Sequence, residues 1–342
     1  MNAAPDPRPA HAESDTYLAL VCSRLSDDLS GVALQRLALR APGPGEVRVR
    51  IRAAALNFPD LLMTQGKYQF EPPLPFVLGL EAAGEVVETG PGVTTTSVGE
   101  RVYLQGKTGG FAEMAVLEET RVRRIPDGLD FAKAAALRAG SVTAYVSLVR
   151  RARLQRGETL LVHGASGGVG MAAVALGRHL GAHVIATGTS AEKLAIVKAQ
   201  GAHEVIDLRG GFRERVKALT GGRGADVIFD PVGGDVFDES LRCIAWDGRL
   251  LVIGFASGRI PVVSANIPLI KGFSVVGVRA GEYARRFPER GRAVRDVVAQ
   301  LSAEGRLHPH IDRVLPLSRW REALDAMAAR DIVGKVVLVP GN

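Results

Sequence analysis

The stretch Thr159-Leu160-Leu161-Val162-His163-Gly164-Ala165-Ser166-Gly167-Gly168-Val169-Gly170-Met171 decides the fold of this chain. Its first five residues are typical of a buried strand, and a helix is predicted from Met171. The glycines between them have the spacing G-x-x-G-x-x-G. Glycine permits a tight turn and lets a pyrophosphate approach the backbone, while the helix N-terminus offers free N–H groups and positive dipole charge. The residues predicted to bind a dinucleotide here are Gly164, Ser166, Gly167, Gly168, Val169 and Gly170.

Strand and helix patterns alternate after this turn. Strands are predicted over residues 183–187, 204–206, 226–230, 249–253 and 273–278, and helices over 171–180, 191–200, 212–219 and 236–244. Such alternation implies a parallel sheet covered by helices on both faces. A glycine-rich turn with a strand before it and a helix after it is the confirming context for a dinucleotide site. The fold class predicted for this part is therefore α/β, a Rossmann doubly wound parallel sheet.

The chain before residue 125 has a different texture, with short strands and many turns. Residues 47–53 alternate apolar residues with arginine, the period-two pattern of a strand with one wet face. Glycine and proline recur in turns such as Pro42-Gly43-Pro44-Gly45. Helices are predicted over 131–136 and 142–151, and residues 334–339 read as a buried strand. We expect a small, mostly β domain ahead of the parallel sheet.

Length and composition agree with a globular protein of two domains. The chain has 342 residues, and no apolar run is long enough to cross a bilayer. Residues 1–14 are rich in Pro and Ala and lack the apolar core of a signal peptide, so we expect a flexible tail and a cytoplasmic location. Cys22 and Cys243 cannot build a structural zinc site and are predicted to be small buried hydrophobes.

The formal charge of +7 raises the question of a nucleic-acid partner. The arginines are scattered among acids, and the densest cluster, residues 285–295, contains Pro288 and Glu289. This pattern is typical of a solvated helix face. Aromatic residues are only 5%, and no RNA-binding motif occurs, so no nucleic-acid partner is expected.

The residues after the second predicted strand indicate which cofactor binds. An NAD site usually carries Asp or Glu there, about 20 residues beyond the turn. Residues 186–193 read Ala-Thr-Gly-Thr-Ser-Ala-Glu-Lys, without an acid at the strand end. The residues predicted to contact the cofactor here are Thr189, Ser190 and Lys193. Ser190 can donate a hydrogen bond to a 2′-phosphate, and Lys193 can supply positive charge. Alternatively Ser190 only caps the helix and Lys193 is solvated, although capping is compatible with phosphate binding. NADPH is the predicted cofactor.

With these motifs placed, the chain from about residue 17 onward resembles the medium-chain dehydrogenase/reductases, and among them the quinone oxidoreductase (zeta-crystallin-like) branch. The matching stretches are 56–60, 65–68, 73–84, 164–170, 252–258 and 334–335. The resemblance implies a GroES-like catalytic domain split around a Rossmann domain, with the active site in the cleft. It also implies a homodimer that pairs sheet edges through residues 273–278, since an exposed strand needs covering. The implied division is a tail over 1–14, catalytic domain over 15–133, Rossmann domain over 134–278 and a catalytic return over 279–342.

The same resemblance bears on zinc. Alcohol dehydrogenases of similar layout hold a catalytic zinc with Cys, His and Glu and carry a four-cysteine lobe. The corresponding places here are Asn57 and Gly79-Leu80-Glu81, and no such lobe occurs between residues 99 and 113. Glu81 alone cannot hold the metal, so no metal is expected. Without a Lewis acid an alkoxide loses its stabilisation, whereas a quinone or an enone delocalises the incoming charge itself.

Catalytic roles are also implied by the resemblance. Tyr68 occupies a position similar to that of the tyrosine regarded as the acid in enoyl thioester reductases, and it would donate a proton to the developing oxyanion. Asn57 and Asp60 resemble a polar pair beside the nicotinamide, as donor and orienting group. Alternatively Tyr68 is a surface residue of a Gly/Pro loop and Asp60 caps a helix. Further cofactor contacts implied in this way are Thr143, Gly254, Phe255, Ala256, Asn266 and Lys335.

These features predict an NADPH-dependent reductase of quinones or α,β-unsaturated carbonyls that works without zinc. One alternative is a 2-enoyl thioester reductase, for which residues 285–295 could hold the phosphate of coenzyme A or of a carrier's phosphopantetheine. Another is an NADPH-binding protein with little catalysis, structural or RNA-associated. Arg138-Ala139-Gly140 departs from the pattern of relatives, which often carry a proline there, so the pocket wall is expected to differ.

Overall fold

Two large β-sheets of different construction organise residues 15–341, the part of the chain that the computed structural model describes. One is a seven-stranded, mainly antiparallel sheet built from the N-terminal part and the last two strands of the chain. The other has six strands, all paired in parallel. The predicted tail over residues 1–14 lies outside the described residues.

The N-terminal part is mostly β, as predicted. Its elements are β1 (Thr16–Cys22), β2 (Val32–Ala38), β3 (Glu46–Ala55), α1 (Phe58–Thr64), β4 (Phe76–Val77), β5 (Glu81–Thr89), β6 (Arg101–Gln105), β7 (Met114–Glu118) and β8 (Val122–Arg124). Two strands from the end of the chain, β15 (Ile311–Pro316) and β16 (Lys335–Val339), complete the sheet. Its order is β15-β16-β3-β5-β6-β8, with β7 paired to β3 and a small sheet β2-β1-β4 beside it.

One expectation about β3 is wrong in part. The strand forms, but its arginine face is not uniformly wet, because Arg48 is only 8% exposed. The guanidinium of Arg48 lies 2.7 Å from a carboxylate oxygen of Glu88 and donates to the carbonyl of Arg40. A long arginine side chain can bury its aliphatic stem and still neutralise its charge at the rim, which alternation alone does not predict.

The parallel sheet confirms the predicted doubly wound architecture. Its elements are β9 (Thr159–Val162), α3 (Gly168–His179), β10 (His183–Gly188), α4 (Ala191–Ala199), β11 (Glu204–Asp207), α5 (Arg213–Leu219), β12 (Ala225–Asp230), α6 (Gly234–Ser240), β13 (Ile244–Val252), α7 (Asn266–Lys271) and β14 (Ser274–Gly277). The strand order is β11-β10-β9-β12-β13-β14. The order reverses between β9 and β12, so a ligand crevice is expected outside the carboxyl ends of these two strands.

Two boundaries differ from the predictions. The helix predicted over residues 236–244 ends at Ser240, and β13 begins at Ile244 rather than at 249. Asp247 has a φ of 60°, so the chain turns within β13. Because of this turn, the sequence pattern did not predict the first residues of the strand. The helices predicted over residues 131–136 and 142–151 are joined in the structure. Helix α2 (Phe131–Tyr145) is continuous and runs on into a π-helical turn over Val146–Arg151.

Helix α2 connects the two sheets. Residues 134–137 pack in the cluster that covers the antiparallel sheet, and Ala144 packs in the core of the parallel sheet. At Gly140 a Cβ would lie 2.9 Å from the carbonyl oxygen of Gly168, so glycine allows α2 to approach the glycine-rich turn. The predicted domain boundary between residues 133 and 134 falls inside this helix.

The end of the chain returns to the antiparallel sheet through α8 (Ala280–Arg286), α9 (Pro288–Ala303), β15, α10 (Trp320–Ala328) and β16. Strand β16 pairs with β3 and places residues 334–335 against the glycine-rich turn. Cys22 and Cys243 are buried free thiols, as predicted. In the described part of the chain, no helix has the length and apolar character needed to span a membrane.

Candidate active site

The glycine-rich turn lies between β9 and α3, as predicted, although α3 begins at Gly168 rather than at residue 171. The glycines of this turn have different structural roles. At Gly170 a Cβ would lie 2.3 Å from the carbonyl oxygen of Gly164, so this glycine closes the turn. At Gly168 a Cβ would lie 2.6 Å from the Lys335 side chain. Gly167 is exposed and its Cβ would meet nothing closer than 3.4 Å, which leaves an open approach for a phosphate.

The turn is held in place by the end of the chain. The backbone N–H of Gly334 donates to the carbonyl oxygen of Ser166 at 2.7 Å, and Gly167 forms a bridge with Gly334. Val169 packs against the core of the parallel sheet. The nucleotide turn therefore contacts both halves of the molecule.

A buried histidine lies directly beneath the turn. His163 places Nδ1 2.8 Å from Thr187 Oγ1 and Nε2 2.9 Å from Ser240 Oγ. Burial lowers the pKa of His163 to about 3, so the ring is neutral at physiological pH. The imidazole ties together the ends of β9, β10 and α6. Sequence reasoning missed this role, although a polar residue at the end of an apolar strand was a signal for it.

The end of β10 carries the residues predicted to select the cofactor. Ser190 caps α4, because its Oγ accepts the backbone N–H of Lys193 at 3.3 Å. Lys193 Nζ donates to the carbonyl oxygen of Arg330 at 2.7 Å, and Thr189 is exposed beside them. The guanidinium of Arg330 donates to the carbonyl of Ala256 at 2.7 Å. Arg330 thus brings a second cation to this end of the site, and no local motif pointed to it.

A polar network of three side chains lies where α1, β5, α2 and β16 meet. Lys335 Nζ donates to Asn57 Oδ1 at 2.7 Å and lies 3.2 Å from Glu81 Oε2. Asn57 Nδ2 donates to Glu81 Oε2 and to the Ala55 carbonyl, both at 3.1 Å. The other carboxylate oxygen of Glu81 accepts the backbone N–H of Ala139. All three network side chains are buried, and the ion pair is compensated by hydrogen bonds, as a buried pair requires.

Asp60 supports this network from behind. Its Oδ2 accepts the backbone N–H of Asn57 at 2.8 Å, which forms the capping box of α1, and its Oδ1 accepts the N–H of Leu80 at 3.0 Å. The carboxyl is fully buried, and burial, with a smaller contribution from the Glu81 charge, raises its pKa to about 7 against the opposing effects of the two N–H donors and Lys335. The geometry makes Asp60 a helix-capping residue that positions Asn57 and Glu81.

Tyr68 has a different environment. It is half-buried against the core of the antiparallel sheet, and no hydrogen bond to its hydroxyl is found within residues 15–341. Burial and the Asp60 carboxyl raise the pKa of Tyr68, while the Arg279 guanidinium opposes the shift. Arg279 follows β14 at the carboxyl end of the parallel sheet, so both domains contribute to this space. Sequence reasoning missed Arg279, whose signal was a cation directly after the last predicted strand.

The remaining predicted contacts divide into two groups. The turn 254–256 follows β13 at the carboxyl edge and packs on the loop after β12, where the N–H of Ala256 donates to the Pro231 carbonyl at 3.0 Å. That loop also borders the glycine-rich turn, and Thr143 lies on the half-buried face of α2. Asn266 is instead the exposed first residue of α7, and no contact of it with the glycine-rich turn is found in the described structure.

The donor set does not fit a catalytic zinc. Within residues 15–341, no three His, Cys, Asp or Glu side chains converge in a way that could hold a metal ion. Glu81 is the carboxylate at the position that the resemblance to alcohol dehydrogenases assigned to a zinc ligand. The Lys335 ammonium lies 3.2 Å from it. The Asn57 side-chain amide already uses both its oxygen and its nitrogen in hydrogen bonds of the same network. A divalent ion would have to displace a bound ammonium and would find a single anionic ligand.

The site can now be set beside known proteins. Residues 43–127 match the family model described as "Alcohol dehydrogenase GroES-like domain", and residues 168–297 match the one described as "Zinc-binding dehydrogenase". The chain is 42% identical over 327 residues to the quinone oxidoreductase-like protein 2 homolog of Nematostella vectensis, covering 94% of this chain and 89% of that protein. It is 39% identical over 302 residues to a quinone oxidoreductase of Pseudomonas aeruginosa, covering 87% of this chain and 92% of that one.

A mycobacterial protein solved in complex with NADPH has the same fold, with a TM-score of 0.86 and 30% identity over 94% of this chain and 100% of that one. Fold and glycine-rich turn together define a nicotinamide-dependent oxidoreductase. The chain belongs to the medium-chain dehydrogenase/reductase superfamily, in its quinone oxidoreductase branch. The resemblance drawn from the motifs is confirmed.

Proposed function

We propose that this enzyme reduces quinones or α,β-unsaturated carbonyl compounds with NADPH and without zinc. The observation that carries the proposal is the Asn57–Glu81–Lys335 network, which places an ammonium beside the one carboxylate that a catalytic metal would need. The branch to which the chain belongs and the names of its relatives support the same reaction class.

The proposed cofactor contacts follow from the turn and from the end of β10. NADPH, when bound, supplies the hydride. The open side of Gly167 and the N-terminus of α3 would accept the pyrophosphate. Ser190, Lys193 and Arg330 would hold the 2′-phosphate, with Lys193 exchanging its bond to the Arg330 carbonyl for one to the phosphate. Residues 188–190 contain no acid, so the carboxylate that would repel a 2′-phosphate at the end of β10 is absent there.

Tyr68 is the proposed proton donor to the acceptor. Its hydroxyl is uncommitted in the described structure, and Arg279 stabilises the phenolate that proton donation leaves behind. An enone needs this proton to complete its reduction, whereas a quinone spreads the incoming charge over a ring and a second oxygen. Asn57 would border the nicotinamide, and Asp60 would act on it as a positioning residue.

The exposed edge of β14 supports a homodimer. Within the described chain β14 pairs only with β13 and presents Val275 at its open edge. Large apolar side chains surround this region, with Trp246 75% exposed and Leu269 80% exposed. The unpaired backbone N–H and C=O groups of such a strand edge can form hydrogen bonds with the same edge of a second copy. Light scattering on the Val275→Lys variant should report a monomer if this edge forms the dimer.

The reaction is tested by following NADPH oxidation against a panel of quinones, alkenals and enoyl thioesters. We expect turnover of quinones and alkenals that neither a chelator nor added zinc changes. Tyr68→Phe should lower turnover of the alkenal by roughly 100-fold, the usual contribution of a positioned acid, and that of the quinone much less. Tyr145→Phe, in the same enzyme but on α2, is the matched control. Cofactor binding without turnover of any acceptor would exclude the proposal, and equal, negligible effects of Tyr68→Phe would remove Tyr68 from the mechanism.

A further inference from the structure

Three arginines from three different elements surround Tyr103 of β6. Arg123 of β8 is its direct cross-strand partner, so the two side chains lie on the same face of the sheet. Arg138 of α2 places its guanidinium carbon 6.0 Å from the Tyr103 ring centroid. Arg295 of α9 approaches the same group, because its charge acts on Tyr103 and is repelled by Arg123 and Arg138. We name Arg123, Arg138 and Arg295 the arginine cluster.

The arginine cluster carries more positive charge than the protein neutralises. Asp296 acts on Arg295 and Tyr103, and Glu81 acts on Arg138, but neither carboxylate forms a salt bridge with any of the three arginines in the described structure. None of the three has a hydrogen-bond acceptor or an ion-pair partner within residues 15–341. Two arginines of the neighbouring α8, by contrast, both pair with Glu282. The three guanidinium groups of the cluster therefore lack a direct ion pair, and the two carboxylates that act on them do so from a distance.

Burial makes this arrangement costly without a ligand. The Nε atom of Arg295 is buried and has no hydrogen-bond partner. Burial lowers the pKa of Arg138 and that of Arg295, which means that the surroundings disfavour the charged forms. Gln105, two residues from Tyr103 on the same face of β6, also has a buried Nε2 without a partner. All the unfilled positions are donors, and a buried donor normally has an acceptor.

We propose that the arginine cluster, with the Tyr103 hydroxyl and the Gln105 amide at its edge, is a binding site for a phosphate group. The planar forks of arginine match the oxygens of phosphate, and convergent forks from three elements can contact several oxygens at once. The site does not depend on the identity of the hydride acceptor. It is linked to the Asn57–Glu81–Lys335 network through Glu81, which accepts the N–H of Ala139, acts on the charge of Arg138 and lies opposite Gln105 on the neighbouring strand.

The phosphate could be a free ion or part of a larger molecule such as a phosphopantetheine arm. The test is isothermal titration of the enzyme saturated with its nicotinamide cofactor, so that the cofactor's own phosphate sites are filled. Inorganic phosphate and 4′-phosphopantetheine are titrated separately, at ionic strength matched with chloride because screening weakens all such contacts. We expect one binding event for the wild-type enzyme with at least one of these probes.

Arg295→Gln and Arg138→Gln should each weaken that event by roughly ten-fold or more, as expected for loss of a charge-assisted hydrogen bond. Arg292→Gln, exposed on the same helix as Arg295 and outside the cluster, is the matched control and should bind as the wild type does. Thermal unfolding checks each variant, and Arg295→Lys keeps the charge if the glutamine variant does not fold. Equal affinities in all variants, or no binding of either probe up to tens of millimolar, would overturn the proposal.

The two probes distinguish the sources. For a free ion, inorganic phosphate binds at least as tightly as phosphopantetheine, and Arg295→Gln leaves every KM unchanged. For a phosphate carried by a thioester, phosphopantetheine binds more tightly, and Arg295→Gln raises the KM of an enoyl thioester while that of a quinone stays the same. Both results support the site, and they separate its failure from that of the proposed hydride transfer.

Discussion

The two sides of the proposed active site are built in opposite ways. The proposed nucleotide side is centred on one continuous stretch, residues 159–171, where glycines leave backbone atoms open to contact. The proposed acceptor side is a set of charged and polar side chains, Asn57, Glu81 and Lys335, from distant parts of the sequence. The first depends on volume and backbone geometry, and the second depends on charge balance in a buried place. Changes to each should therefore fail in different ways.

Removing the cation of the acceptor side should have the largest effect. Lys335→Met leaves the Glu81 carboxylate buried without its ion-pair partner, which typically costs about 3–5 kcal/mol of unfolding free energy. Urea unfolding measures this loss. Adding Glu81→Gln to Lys335→Met should recover a large part of it, since the uncompensated charge is then gone. If the double variant is as unstable as the single one, the ion pair is not what Lys335 contributes.

The two sides also respond to pH in opposite directions. His163, whose folded pKa is about 3, contributes stability that is present above its unfolded value near 6.5 and is lost as pH falls toward 3. Asp60, whose folded pKa is about 7, contributes stability that is present below its unfolded value near 3.8 and is lost as pH rises through 7. Between about pH 4 and 6.5 the two slopes oppose each other.

Single variants should therefore reveal one slope each. In His163→Gln the unfolding free energy should fall with rising pH between about 4 and 7, and in Asp60→Asn it should rise with pH between about 3 and 6.5, by up to about 1.4 kcal/mol per pH unit in each case. Urea titrations at a series of pH values measure both. His179→Gln, on α3 and away from the turn's base, is the control for losing a histidine. Parallel curves for all variants and the wild type would show that neither buried group titrates as described.

On the nucleotide side the test is a pair of glycines in one turn. In Gly170→Ala the new Cβ would lie 2.3 Å from the Gly164 carbonyl oxygen, so we expect destabilisation by about 1–3 kcal/mol together with loss of cofactor binding. Gly167→Ala meets only an ordinary 3.4 Å contact, so the fold should keep its stability while cofactor affinity falls. Thermal unfolding and quenching of NADPH fluorescence separate the two effects. Undiminished affinity in Gly167→Ala would mean that the phosphate does not approach over this residue.

The same contrast explains what could be predicted from the sequence. The turn was predictable because spacing and stereochemistry are local, and the helix starts within three residues of the expected place. Asn57 and Lys335 were identified only by resemblance, and their contact joins residues 278 apart in sequence. His163, Arg279 and Arg330 act through partners that only the folded chain brings near. The expected wet face of β3 was wrong at Arg48 because a distant carboxylate, Glu88, neutralises it.

The smallest expected effect lies where the two sides meet, at Lys193. Its ammonium joins α4 of the nucleotide side to Arg330 of the C-terminal return, so it can be either a phosphate ligand or a strut between domains. If it is a ligand, Lys193→Ala should lower the kcat/KM for NADPH about ten-fold, the worth of one charge-assisted hydrogen bond, and leave that for NADH unchanged. Lys198→Ala, exposed at the end of the same helix, should change neither value. A ratio of NADPH to NADH efficiency that stays constant while thermal stability falls would instead make Lys193 the strut, because a strut stabilises both cofactor complexes equally.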